Sequence, residues 1–274
     1  MNSTLLSSTK TRFGRSQARR VLRSGVLSAR GRRARVANGV HILAGHHMGA
    51  TEIRDREVFR DLLRHLAKQA RLVNIESASR LIAQEQEVDE PMIAFTFDDG
   101  FRDCYSHLAP TLEEFGINAA LFINPGYVGA DAQYVESFNR SVVDLPGKLP
   151  MTRDMVSDLA ARGFVIGAHT IDHADLTRSD ETFLKHQIVD CKSAVEEISG
   201  TTCDWFAWPY GTYRSISCAA LELALDTYDV VFSSDNYHQY SSHGGRVQNR
   251  RHFEVDWPQS HVRYFLGQRR SFGA

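Results

Sequence analysis

Met92-Ile93-Ala94-Phe95-Thr96-Phe97-Asp98-Asp99-Gly100 is the stretch from which the rest of the chain can be read. Its first six residues follow Pro91 and are apolar, aromatic or β-branched, and the run is too short for a typical helix. The pattern predicts a buried strand. Neighbouring residues on a strand point to opposite faces, so Asp98 and Asp99 can serve one site only where the strand gives way to a loop. Gly100 lets the backbone turn there without a Cβ clash. Two carboxylates forced together are costly unless a cation or a shared proton relieves them.

Outward from this strand, the chain alternates between strand-like and helix-like patterns. Strands are expected near 40–44, 72–75, 119–123, 164–168, 205–208, 230–232 and 247–255. Helices are expected near 55–70, 77–83, 102–115, 152–163, 179–198 and 215–226, with Thr152 as an N-cap and Gly116 and Gly163 as stops. Such alternation, in about seven units, predicts a parallel α/β arrangement. Residues 124–150 read as a long binding loop.

With 274 residues, 42% of them hydrophobic, the chain can bury a full core. The formal net charge of −1 hides an asymmetry: residues 1–36 hold ten Lys/Arg and no Asp or Glu. That arm lacks a continuous apolar core, so it does not read as a secretory signal, and no later stretch is long enough to span a bilayer. A cytoplasmic location is expected, with weak anionic-membrane contact through the arm as an option. The arm has the charge to bind nucleic acid but no recognisable fold for it, so nucleic acid is not the expected partner. The four dispersed cysteines (Cys104, Cys191, Cys203, Cys218) form no CxxC pair and read as reduced thiols, not zinc ligands.

The predicted strand at 164–168 runs into His169-Thr170-Ile171-Asp172-His173. Histidines four apart face one way if the segment turns helically, and neutral imidazoles bind zinc-like ions. Another strand end supplies Trp208-Pro209-Tyr210-Gly211. In α/β barrels, active sites gather at strand C-terminal ends. One Asp with two His leaves coordination positions open, as a catalytic metal requires.

These motifs resemble those of the polysaccharide deacetylases, the NodB-homology or carbohydrate esterase family 4 proteins. Thr96-Phe97-Asp98-Asp99-Gly100 matches their TFDDG motif, His169 to His173 their H(S/T)xxH motif, and Ala207 to Gly211 stands where many members have RxPYG. The start Ile42-Leu43…His46 is similar to that of many bacterial members. The resemblance covers roughly residues 38–256 and implies a distorted (β/α)7-type barrel of the NodB-homology fold. On this reading residues 1–37 are a basic extension and 38–274 the catalytic domain.

The resemblance further implies a metal-dependent hydrolase that removes N-acetyl groups from an acetylated amino sugar in a glycan, or in a lipid- or nucleotide-linked precursor. Asp98 would be the general base. Asp99, His169 and His173 would hold one divalent ion, Zn2+ foremost and Co2+ or Ni2+ as substitutes. Tyr210 would hold the developing oxyanion through its backbone N–H, with Trp208 and Pro209 beside the substrate and Trp208 and Tyr210 offering flat faces to a sugar. Two departures stand out. The arginine that usually orients the base is Ala207 here, with Arg250 or Arg251 as candidate replacements. The late LxH motif that supplies the general acid has no clean match, and His252 is the first candidate, ahead of His243 and His261. His46 or His47 could line the pocket, while Asp103 and His107 read as structural or solvated and Asp172 as making turn hydrogen bonds. Two alternatives remain open: a catalytically impaired glycan-binding module, and a metal-independent hydrolase of another non-peptide C–N bond.

Overall fold

The computed structural model describes residues 25–49 and 52–273, with the side chains of all of these except 52–54. Most of the basic arm therefore lies outside the described residues. Among the described residues, no helix is long and apolar enough to cross a membrane.

All seven residues of Gly39–Gly45 (β1) are buried, and so are all but the first of Pro91–Phe97 (β3), with the short Arg71–Leu72 (β2) alongside. Continuous burial of this kind marks strands covered on both faces. Further strands follow at Ala119–Ile123 (β4), Val165–Ala168 (β5), Trp205–Ala207 (β6) and Val230–Ser233 (β7). Ser241–Ser242 (β8), Val247–Asn249 (β9) and Arg251–His252 (β10) complete the sheet. Its order is β10-β1-β3-β4-β5-β6-β7-β9-β8, and every pairing along it is parallel except β8 with β9.

The two ends of that order meet in one chain segment. β9 pairs with β7 (Ser233 opposite Asn249), and β10 pairs with β1 (Leu43 opposite Arg251). Only Arg250 lies between them, and its N–H donates to Ser233 O at 2.8 Å. The expected last strand, 247–255, is thus a strand that changes partner at Arg250 and curls the mixed sheet round as the distorted (β/α) barrel the motifs imply. The changeover leaves the Arg250 side chain fully buried, its guanidinium 5.2 Å from the Phe122 ring centroid and 5.8 Å from that of Phe232.

Three expectations need correction. Residues 124–150 are not an open loop throughout, because Ala132–Ser141 is a helix capped by Asp131, which accepts from Tyr134 N–H. The helix after β3 is interrupted by a π-turn at Cys104–Leu108, where Ala109 N–H reaches Cys104 O. Pro110 explains this, since it has no N–H to donate and its ring clashes with the carbonyl four residues back. Asp172, expected to make turn hydrogen bonds, instead accepts from Tyr134 Oη at 2.7 Å and Gln187 Nε2 at 3.1 Å.

Contacts divide the chain into two compact units, 38–256 with 269–274 and 1–37 with 257–268. In the smaller unit a helix over 25–31 packs with Gln259–Leu266, where Ser28 Oγ lies 3.0 Å from His261 Nε2. The helix at Gln259–Leu266 is not among the elements expected from sequence, although Val262 and Leu266 stand four apart on its buried face. In the larger unit Arg270 is buried and donates to the carbonyls of Val40, Gln239 and Asn249, tying the last residues to the sheet.

Candidate active site

Asp98 and Asp99 stand where β3 ends. Asp98 N–H still continues the strand's bonding, donating to Gly45 O at 3.0 Å. Asp99 then takes a left-handed conformation, φ 75, and Gly100 follows at φ 78. A Cβ at Gly100 would sit 3.3 Å from Ile123 Cγ2. Adjacent residues can therefore turn both carboxylates to one region.

The histidines converge by an unexpected route. Residues 169–173 are not helical, and Thr170 (φ 61) and His173 (φ 54) are both left-handed. Each such residue costs ~1–3 kcal/mol and persists only where surroundings over-determine it. Asn124 Nδ2 donates to the carbonyls of His169 and Thr170, and Thr170 Oγ1 accepts from Ala174 N–H at 2.9 Å. Tyr210, at φ 64, is a fourth left-handed residue other than glycine in this region.

His169 Nε2 lies 3.5 Å and His173 Nε2 3.4 Å from Asp99 Oδ1. The Ala207 carbonyl, 2.6 Å from His169 Nδ1, can only accept, so the proton sits on Nδ1 and the Nε2 lone pair faces Asp99. Asp99 Oδ1 is buried with no hydrogen-bond partner among the described residues. Burial drives His173 toward its neutral form, with a pKa lowered to about 4. Two lone pairs and an unsatisfied carboxylate oxygen on one point are what a divalent ion needs, so the donor set fits a metal.

Asp98 has a different partner. Its oxygens accept from Arg250 Nη1 at 2.7 Å and Nη2 at 2.9 Å, and Nη1 also reaches Thr96 Oγ1 at 3.0 Å. Burial pushes the Asp98 pKa up, but the charge and hydrogen bonds of Arg250 outweigh it and hold the carboxyl at about 2. Arg250 thus supplies the charge missing at Ala207. Arg251 does not, since its guanidinium donates to Tyr237 O instead.

A cavity of about 310 Å³ is lined by His46, Asp99, His173, Tyr210 and Glu254, with Val142, Val143 and Leu145 as an apolar wall. A larger cavity of about 580 Å³ lies against residues 129–152 and shares none of this lining. Histidines and the buried Asp99 border only the smaller one, whereas the larger is edged by Arg102, Glu136, Arg140 and Lys148, so the smaller is the candidate site. His46 Nδ1 is 2.8 Å from Glu254 Oε1. Burial lowers the His46 pKa, yet the Glu254 hydrogen bond and the nearby carboxylates overcome this and raise it to about 9.

The remaining expected residues are sorted by burial. Trp208 is fully buried with Nε1 donating to Thr212 O, so it packs the core and offers no face to a sugar. Pro209 is buried too, its carbonyl accepting from Ser215 Oγ. The Tyr210 ring, 54% exposed and 5.0 Å from the His173 ring, does face the site. His252, the first candidate for the acid, is 46% exposed, lies 3.4 Å from Glu254 Oε1 and is not part of the cavity lining. His243 is on an exposed turn beside Tyr213, and His261 lies in the smaller unit. Asp103 is buried and paired with Lys148 at 2.5 Å, a structural role as expected. Cys104, Cys191 and Cys203 are buried free thiols and Cys218 an exposed one. Glu254 was missed, and only its place two residues beyond His252 on the last strand could have flagged it.

The sequence profile described as polysaccharide deacetylase matches residues 85–225. YxkH of Bacillus subtilis (strain 168) is 24% identical over 147 residues, covering 54% of this chain and 47% of that protein. A chitin deacetylase of Pestalotiopsis sp is 27% identical over 128 residues, covering 47% of this chain and 37% of the relative. The chain thus spans less than half the length of these relatives. The fold is similar to that of IcaB from Ammonifex degensii, with TM-score 0.66 and 20% identity over 84% of this chain and 98% of that one.

Proposed function

This chain belongs to the polysaccharide deacetylase family, and we propose that it hydrolyses the N-acetyl group of an acetylated amino sugar, in a glycan or glycan precursor, using one divalent ion. One observation carries the reading: Asp99 Oδ1 and two histidine lone pairs meet at a buried point, beside a second carboxylate kept charged by Arg250. The chitin deacetylase among the relatives supports an N-acetylated glycan as the substrate class.

Asp99, His169 and His173 would hold the ion. When bound, a zinc-like ion supplies Lewis-acid polarisation of the acetamide carbonyl and of water. Asp98, oriented by Arg250, takes the attacking water's proton as the new C–O bond forms. Both Asp98 oxygens already accept from Arg250, but each retains a lone pair for this purpose. The Tyr210 backbone N–H steadies the developing oxyanion. As the C–N bond breaks, His46 gives its proton to the departing amine, with Glu254 holding the imidazole in its charged form. The products are acetate and a free amino sugar. The proton donor is therefore His46 in place of His252. The exposed Tyr210 ring offers the sugar a flat face, and Val142, Val143 and Leu145 give the pocket an apolar side.

The test is acetate release from N-acetylated glucosamine oligomers by zinc-loaded and chelator-treated protein. Release that requires zinc supports the proposal. Release that survives complete metal removal would favour the metal-independent alternative. Oligomer binding without any release would favour the binding module.

A further inference from the structure

His46, His252 and Glu254 form a second set of converging ligand atoms, separate from Asp99, His169 and His173. Glu254 Oε1 lies 2.8 Å from His46 Nδ1 and 3.4 Å from His252 Nε2, and the three ligand atoms all fall within 4.8 Å of one another. Two donors held at about 2.0–2.1 Å by one tetrahedral ion sit roughly 3.3–3.4 Å apart. The His252–Glu254 separation has that length, and it repeats the 3.4 and 3.5 Å separations of the first set. A second observation points the same way. Glu254 Oε2 is buried and has no hydrogen-bond partner among the described residues, so the carboxylate retains an unsatisfied oxygen beside two imidazoles.

We propose that His46, Glu254 and His252 form a second divalent-cation site, weaker than the first, whose occupation switches the enzyme off. Its weakness follows from the geometry. The His46–Glu254 hydrogen bond must be broken for an ion to enter, and His252 is 46% exposed, whereas Asp99, His169 and His173 are buried with no hydrogen bond among their converging atoms. Inhibition follows from position, because His46 and Glu254 line the same cavity as Asp99 and His173. An ion between His46 Nδ1 and Glu254 displaces the Nδ1 proton and occupies the carboxylate that keeps the imidazole charged, so the ring no longer reaches the doubly protonated form that donates. The inhibitory consequence rests on the function proposed above, but the second ion does not.

Zinc titrated calorimetrically into the metal-free full chain tests the site. Two ions per chain are expected, the first bound more tightly. His252→Ala should lose only the weaker ion, and His173→Ala only the tighter one. Glu254→Gln provides a second variant, should either histidine variant fail to fold. In the acetate-release assay, excess zinc should inhibit the parent chain in step with loading of the second ion, and should not inhibit His252→Ala. Saturation at one ion in the parent chain would overturn the proposal, as would two ions in both His252→Ala and Glu254→Gln. Two-ion binding by a chain that releases no acetate would leave the second site standing and overturn the deacetylase reading instead.

Discussion

Arg250 and Asp98, 152 residues apart in sequence, form a fully buried two-pronged ion pair, with both carboxylate oxygens within 2.9 Å of a guanidinium nitrogen. The pair joins the strand that changes partner to the strand that ends in Asp98 and Asp99. Arg250 supplies the charge that the motif resemblance leads one to expect at the position of Ala207, a residue whose carbonyl here orients His169.

Removing the guanidinium leaves a buried carboxylate without its partner. Arg250→Met should destabilise the fold by about 3–5 kcal/mol, measured by urea unfolding. Arg250→Lys keeps the charge but loses the fork, so it should retain more of the stability while kcat still falls by about tenfold or more. Unchanged kcat in Arg250→Lys would show that the orientation of Asp98 does not matter.

The two aspartates should separate by metal content. Asp98→Asn is expected to keep the ion and to lose about 10²–10⁴-fold in kcat, the usual contribution of a general base. His173→Ala should lose the tighter ion together with the activity. Elemental analysis beside acetate release distinguishes the two cases, and equal metal loss would reverse the roles of Asp98 and Asp99.

Activity should fall on the alkaline side as His46 loses its proton. The group is active when protonated and its pKa is raised to about 9, so the rate should hold through neutrality and decline as pH rises through that value. His46→Gln should lower the rate at neutral pH and remove this limb from the profile. A limb that survives in His46→Gln would assign it to another group.

The segment that forms the apolar wall is tied down at Lys148. Its Nζ reaches Asp103 Oδ2 at 2.5 Å and Gly49 O at 2.7 Å, and Asp103 also accepts from Met48 N–H at 3.1 Å. Lys148→Met strands a buried carboxylate and should cost about 3–5 kcal/mol on thermal or urea unfolding. Because the wall then loses its anchor, KM should rise more than kcat falls. The reverse split would mean that residues 142–145 do not contact substrate.

What the sequence could reveal was local. Asp98-Asp99-Gly100 closes a run whose composition is strand-like, and β3 falls at Pro91–Phe97, within a residue of its expected bounds. Thr152 caps its helix as expected, accepting from Met155 N–H. The helix at Ala132–Ser141 is short and mostly polar, so it reads like a loop, although Val135 and Phe138 are spaced to share one face and their burial stabilises it.

The amino-acid sequence by itself therefore determined the alternating α/β pattern, the positions of the strand ends and the residue types at Asp98, Asp99, His169 and His173. Hydrophobic periodicity and turn chemistry act over a few residues and are written in the chain. Tertiary structure alone decided which of several histidines and arginines reach the site. Arg250 and Arg251 are neighbours with the same side chain, yet only Arg250 sits at the changeover between β9 and β10 and points to Asp98. Likewise His46 joins Glu254 across 208 residues, while Trp208 turns into the core. These outcomes depend on how a curled sheet closes, because closure brings together side chains whose separation along the chain carries no record of their contact.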